Sequence, residues 1–328
     1  IDKILLYLTE NLEFMTFSKI QSVNNFFSVL ESMLSVHYYS NSKMTAFEQQ
    51  NLSQIYDDIE SIVIFASIWS FGAMTVDDSR TQFETTLTTF LNEVQMTIDL
   101  VNNDDTDKKS MNSTSTRQIP NATYFDIYYN TTKRKWRYWE DIGFNDFYST
   151  TTTMTDICPE YLIMDSKTIV STLYLTNLLI SQGKNVLIES SNQQLSSIIL
   201  HLSIYTEFIG SHFNQHCYQF INSQDMIRAM VDNSLSGIRD GSRSTSRLPL
   251  LALLGLDTNY SNHTELLRYI LDNGFVLNLN TFTPEITTSI SFFFTSTFKE
   301  DVNERLLSHL TVIRIPDVVE MENSISQA

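Results

Sequence analysis

The 328-residue chain is poor in everything that would fasten it, bend it or charge it positively: two Cys, five Pro, eight Gly and 21 Lys and Arg in total. Cys158 and Cys217 are too few for a disulfide scaffold and lie far apart, which fits a reducing compartment better than secretion. Scarce Gly and Pro exclude collagen-like and flexible low-complexity classes. The 38 acidic residues leave a formal net charge of −17, so no sustained field attracts a phosphate backbone and nucleic acid is not an expected partner. The longest nearly uncharged apolar stretches, Ile62 to Met74 and Leu248 to Leu256, fall short of the roughly 18 to 20 residues that cross a bilayer, so no membrane span is expected. A basic segment followed by an apolar one and a small-residue cleavage site is missing as well. The chain opens on Ile1 without an initiator Met, as expected of a piece of a longer polypeptide.

What is present suffices for a core: 42% of the residues are hydrophobic, enough for one large domain or two modest ones. Asn-x-Ser/Thr triplets at Asn51, Asn112, Asn121, Asn130, Asn259 and Asn262 leave open a secreted, glycosylated alternative. A chain rich in Asn, Ser and Thr produces such triplets by chance.

Apolar residues recur at three- and four-residue steps through the first hundred residues, the spacing that lines one face of a helix. Ile4, Leu5, Leu8 and Leu12 carry one such stripe; Phe26, Phe27, Leu30, Met33 and Leu34 carry the next. Another helix is expected from about Ile55 to Trp69, with Gly72 closing it as a left-handed cap. Arg80 to Leu100 places Phe83, Leu87, Phe90, Leu91 and Val94 on one face of a further helix. Residues 1–100 therefore predict an all-α unit. Polar turn formers from Asn102 to Pro120 predict a loop and the main boundary. Residues 101–160 form the connecting segment, in which Tyr124 to Tyr129 and Trp136 to Trp139 predict a hairpin around the solvated basic turn Lys133-Arg134-Lys135.

From Ser166 helices and strands alternate: helices over 168–182, 194–209, 225–236, 264–273 and 302–307, strands over 185–188, 216–221, 248–256, 288–295 and 311–315. Such alternation predicts a parallel α/β sheet covered by helices over 161–320, with a tail at 321–328.

Chemistry in such a sheet is expected where strands end and loops lead into helix N-termini. Val186-Leu187-Ile188 runs into Glu189-Ser190-Ser191-Asn192-Gln193-Gln194-Leu195-Ser196-Ser197, which has the layout of a phosphate-binding loop. A working loop needs glycines whose N–H groups wrap the phosphates, a Lys for the terminal phosphate and a Ser or Thr for Mg²⁺. Asn185 to Leu200 contains neither Gly nor Lys. With Ser190 at the first Gly position, Leu195 and Ser196 stand where Gly and Lys belong and Ser197 alone keeps the metal-side hydroxyl. Glu189 adds a negative charge beside a site built for an anion. The run Leu250 to Asn259 sits where a two-acid motif would follow a hydrophobic strand, but Leu256 holds the metal-orienting place and Asp257 the water-activating one. An ordinary turn explains Asp257 to Asn259 equally. His212, His216 and Cys217 are close enough to suggest a metal, yet no second pair lies near them, so none is expected.

Several ordered motifs resemble the motor region of dynein heavy chains, from the end of the second AAA+ module through the large subdomain of the third. Ile64 to Gly72, followed by Asp78-Ser79-Arg80 and Phe83, resembles the family's Phe-x-x-x-x-Trp-Ser-x-Gly helix and its Arg-x-x-Phe continuation. Phe125-Asp126-Ile127-Tyr128 with Trp136 and Trp139 resembles the inter-module Phe-Asp-Tyr segment and its paired tryptophans. Glu265-Leu266-Leu267-Arg268 with Asp272 and Gly274 is similar to Glu-Leu-Leu-Arg-x-x-x-Asp-x-Gly, in the axonemal form. Arg305 to Ile313 is similar to the Arg-Phe-x-Arg-His-x-x-Val before the last core strand. Met164 to Ser171 departs from the family's Val-Pro-Thr-x-Asp-Thr-x-Arg, losing Pro, Asp and Arg.

The resemblance implies an AAA+ (P-loop NTPase-like) α/β large subdomain preceded by an all-α small subdomain of the preceding module, in a fragment of a microtubule motor. Nucleotide motifs are eroded while packing motifs persist, so Ser190, Ser196, Ser197, Asp257 and Asn259 would be a remnant nucleotide site. No catalytic residue, cofactor or metal is then expected in this segment, although ATP and Mg²⁺ would serve the parent ATPase. Implied partners are neighbouring AAA+ modules of the same heavy chain and, through the parent, the microtubule and the dynein light and intermediate chains. The implied location is the cytoskeleton, in a ciliary or flagellar axoneme. The alternatives are a nucleotide-binding regulatory module using atypical ligands and a stand-alone secreted or interaction domain.

Overall fold

In the computed structural model the chain divides into two compact units, Ile1–Ile142 and Gly143–Ala328. The structure describes residues 19–41, 52–73, 77–94, 98, 123–142, 167–190, 199, 213–219, 248–254, 261–277, 283–287, 290–296 and 304–315. The expected first stripe, the 102–120 loop and the helices over 194–209 and 225–236 therefore lie outside the described residues, Ile199 excepted.

Among the described residues three helices carry the first unit: α1 (Lys19–Asn41), α2 (Leu52–Ser67) and α3 (Asp77–Val94). On α1 the expected spacing buries Phe26, Leu30 and Met33, together with Val29, and leaves Phe27 exposed. Ile62 to Ala66 of α2 are all buried, and the chain then widens into a π-helical turn, Ile68–Gly72, where the Ala73 N–H reaches back to the Ile68 carbonyl at 3.0 Å. The Ser67 hydroxyl donates to the Val63 carbonyl at 2.8 Å and the Ser70 hydroxyl to that of Ala66, the back-bonding that loosens a helical ladder. Phe83, Leu87, Phe90 and Leu91 form the buried face of α3, as their spacing predicts.

Gly72 does not cap its helix in the left-handed region; among the described residues the glycines with positive φ are Gly183 and Gly274. Its role is close approach. A Cβ at Gly72 would stand 2.5 Å from Phe83 Cε1 and 2.8 Å from Phe125 Cζ, so any side chain would collide with two rings.

A hairpin completes this unit. Strand β1 (Ile127–Asn130) pairs antiparallel with β2 (Lys135–Tyr138), Tyr129 opposite Trp136. The Asn130 Oδ1 accepts the Lys133 N–H at 2.8 Å, and Arg134 closes the turn with φ 53°. Before β1, Thr123 and Asp126 form a reciprocal capping box around a short 3₁₀ turn, with the Thr123 N–H 2.8 Å from Asp126 Oδ2.

The second unit is built on a five-stranded, wholly parallel sheet of β3 (Val186–Ser190), β4 (Phe213–Gln219), β5 (Leu248–Leu254), β8 (Ser291–Ser296) and β9 (Thr311–Ile315), in the spatial order β4-β5-β8-β3-β9. Helices α4 (Lys167–Ser181), α5 (Ser261–Asn273) and α6 (Glu304–Leu307) accompany it. The all-buried strand sequences Val186 to Ser190 and Ser291 to Ser296 are those of a sheet covered on both faces. Gly183, at φ 71°, ends α4: its N–H meets the Ile180 carbonyl at 2.9 Å and the Lys184 N–H meets that of Leu179 at 3.0 Å. Asn185 then joins three strands, its side chain accepting the Phe292 N–H at 3.1 Å and its carbonyl the Thr311 N–H at 2.8 Å. A small antiparallel pair absent from the sequence expectation, β6 (Phe275–Leu277) and β7 (Pro284–Ile286), precedes β8.

Candidate functional site

Parallel pairing brings the carboxyl ends of all five strands to one edge, the place where open α/β sheets hold ligands. β3 sits between β8 and β9, and Ser190 is its last residue, buried at that edge. β5, whose last residue Leu254 precedes Asp257 and Asn259, is separated from β3 by β8. Ser196, Ser197, Asp257 and Asn259 themselves lie outside the described residues. So does His212, while His216 and Cys217 fall within β4.

Next to the end of β3 stands a buried acid. Glu189, 6% exposed, is register partner to Ser296 on β8 and Arg314 on β9. Register partners share a face of the sheet, and two residues back on that face stand Leu187, Phe294 and Val312, all buried. Burial pushes the Glu189 carboxyl up to about 7, with the Arg314 guanidinium pulling the other way. A buried carboxyl at this position brings no positive charge to a phosphate, and the chain from Asn185 to Leu200 contains neither Gly nor Lys.

A second constellation lies in the first unit and was not foreseen. Asp58 of α2 is 5% exposed, and its Oδ1 accepts the Tyr129 hydroxyl of β1 at 2.5 Å. Its Oδ2 is 3.5 Å from His37 Nε2 of α1 and 3.5 Å from Arg134 Nε of the hairpin turn. Arg134, with a side chain 27% exposed, thus leaves the solvated turn expected of it and serves a buried acid. Burial lowers the pKa of His37 against the pull of Asp58, and it raises that of the Tyr129 phenol, helped by the hydrogen bond to Asp58. The legible signal was Asp58 itself, a charge four residues before Ile62 on an apolar helical stripe, where burial demands a partner.

The residues of the resembling motifs come together as two contact sets. In the first unit Trp69 lies edge-on to Phe125 at 6.1 Å and to Trp139 at 5.7 Å, Tyr128 stacks on Trp139 at 4.7 Å, and the Arg80 guanidinium covers Phe125 at 4.9 Å. Glu84 and Thr88 of α3 hold the neighbouring Tyr124, by its N–H at 3.1 Å and its hydroxyl at 2.9 Å. In the second unit Arg268 bonds Glu265 at 2.8 Å and also Asp272, while Asp272 Oδ1 meets His309 Nε2 at 2.5 Å. The Glu-Leu-Leu-Arg segment and the segment before β9 therefore form one polar chain from α5 to the turn after α6.

Among the described residues no helix is long and apolar enough to cross a membrane. Residues 1–141 match the family model of the dynein heavy chain AAA lid domain, and the first compact unit ends one residue beyond that match. No curated protein matches the chain.

Proposed function

We propose that the chain is a segment of a microtubule motor in which the second unit no longer handles nucleotide and serves as a structural or relay module; the match of residues 1–141 to the dynein heavy chain AAA lid domain and the parallel α/β sheet that follows it support this reading. The observation that carries this reading is the stretch after β3, which has neither Gly nor Lys and follows Glu189, a buried acid next to the end of that strand. Ser190, Ser196, Ser197, Asp257 and Asn259 are then remnants of a site whose chemistry has been lost, and ATP hydrolysis belongs to another module of the parent. Relay requires units that move as rigid bodies. The first unit has the ties for it: Asp58 fastens α1, α2 and the hairpin, and Phe125 wedges against α3 and Gly72. Adjacent AAA modules of the same heavy chain are its immediate neighbours; the microtubule, light and intermediate chains and an axonemal location follow from the parent.

Calorimetric titration of the chain with Mg-ATP tests this. No saturable heat is expected at millimolar nucleotide. Stoichiometric uptake abolished by Ser197→Ala overturns the reading in favour of a nucleotide-regulated module. An immunoblot of cell extract against residues 102–117 tests the parent: a band far larger than a 328-residue chain is expected, and a band of that size overturns the motor reading.

A further inference from the structure

Among the described residues of the second unit, Glu189 is a buried acid whose titration the reading above does not use. Its surroundings are set by the sheet. On its face of the sheet β3 supplies Leu187, β8 supplies Phe294 and Ser296, and β9 supplies Val312 and Arg314. β8 carries no titratable residue in Ser291–Ser296, and Arg314 is the one charged residue of β9. Helix α4, packed on β3 and β9, contributes Lys167 and Tyr174 as its titratable residues, and Lys167 is exposed at the helix start. Among the described residues Arg314 is the charge that acts on Glu189, and it is itself only partly buried, so water screens it. A buried carboxylate compensated by one screened guanidinium is better accommodated as the neutral acid.

We propose that Glu189 is a proton-linked switch at the carboxyl edge of the sheet, which stays closed over the protonated acid and opens to water when the carboxyl ionises. The inference rests on the reading that this edge is not occupied by nucleotide, since a bound triphosphate would dominate the local charge. The switch needs no ligand: the end of β3 separates from its neighbours, the carboxylate becomes hydrated, and the proton passes to solvent. Opening is then linked to pH, because the open state releases the proton at the ordinary carboxyl value and the closed state holds it.

The test is native-state amide exchange of residues 186–190 in the full chain, corrected for the intrinsic rate, at pH 6 and pH 8. With the closed-state value near 7 and the ordinary one at 4.5, linkage gives an opening equilibrium about tenfold larger at pH 8 than at pH 6. Glu189→Gln, a neutral isostere, is expected to abolish that dependence while remaining folded. Arg314→Gln is expected to move the rise to higher pH, which a purely structural role for the arginine would not do. The same pH dependence in the wild-type chain and Glu189→Gln overturns the switch, as does a rise moved to lower pH by Arg314→Gln. Saturable Mg-ATP binding would instead overturn the functional reading, and the exchange profile distinguishes the two failures.

Discussion

Adding a single methyl group at Gly72 tests whether close approach, rather than backbone freedom, requires glycine there. In Gly72→Ala the new Cβ lies 2.5 Å from Phe83 Cε1, 2.8 Å from Phe83 Cδ1 and 2.8 Å from Phe125 Cζ. Carbon atoms rest at about 3.5 to 4.0 Å, so both rings must retreat by about 1 Å. Neither can do so cheaply. Phe83 is fully buried, while Phe125 is held between Trp69 and the Arg80 guanidinium. Overpacking of this kind costs about 1 to 3 kcal/mol. Stiffening of the unfolded chain returns at most about 1 kcal/mol, leaving a net loss of about 1 to 2 kcal/mol and a urea midpoint lower by about 0.5 to 1 M. The assay is intrinsic fluorescence: Trp69, Trp136 and Trp139 are the three tryptophans of the chain and all lie in the first unit, so the signal reports that unit alone. Phe83→Leu should relieve the collision, so the methyl costs less in that background, and the two effects couple. A Gly72→Ala chain as stable as the wild type, or a cost unchanged by Phe83→Leu, refutes the reasoning.

Tyr129→Phe removes the hydroxyl that donates to buried Asp58 and is expected to lower the fluorescence-detected stability by about 1.5 to 3 kcal/mol, the range for a hydrogen bond to a charged group. Gly183→Ala meets nothing within 4 Å but must hold φ 71°, so it should cost the second unit about 1 kcal/mol by thermal circular dichroism. Gly183→Asn should cost less, since Asn tolerates that region. His37 is lowered by burial from 6.5, so the folded first unit binds fewer protons than the unfolded chain. Its contribution is fully present above about 6.5 and is lost as the pH falls below that value. Urea midpoints by fluorescence should therefore drop between pH 7 and pH 5, and His37→Gln should flatten the drop.

Helix and strand periods were legible because each is written locally. Phe83, Leu87 and Leu91 announce α3 by spacing alone, and Thr311 to Ile315 stands as a strand with the expected bounds. Compatible order likewise foretold the parallel sheet. What escaped depends on contacts distant in sequence. Gly72 looked like a cap because the rings that crowd it come from Phe83 and Phe125, the latter more than fifty residues away. Arg134 looked solvated because its acid is on α2. The β6–β7 pair is two three-residue strands, too short to show a period. At the candidate site, the missing Gly and Lys could be counted directly. The burial of Glu189 could not, since a carboxylate at a strand end is as often exposed until its lateral neighbours are known.

Two buried titratable groups, His37 and Glu189, set opposite pH responses within one chain. Each is held in its neutral form by burial, but neutrality means the loss of a proton for an imidazole and the retention of one for a carboxyl. The contribution of His37 is therefore lost on acidification below about 6.5. That of Glu189 is fully present below 4.5 and is lost as the pH rises through about 7. The interval from 4.5 to about 7 corresponds to about 3 kcal/mol at about 1.4 kcal/mol per pH unit, withdrawn from the second unit by pH 8. One unfolding midpoint cannot describe such a chain. Tryptophan fluorescence follows the first unit, whose midpoint should rise with pH, while the tryptophan-free second unit, followed by amide exchange, should weaken over the same range. Glu189→Gln should flatten only the second profile and His37→Gln only the first. Cross-effects in either variant would mean that the burial of the two groups is not independent, and the division of the chain at Ile142 would fail as an energetic boundary.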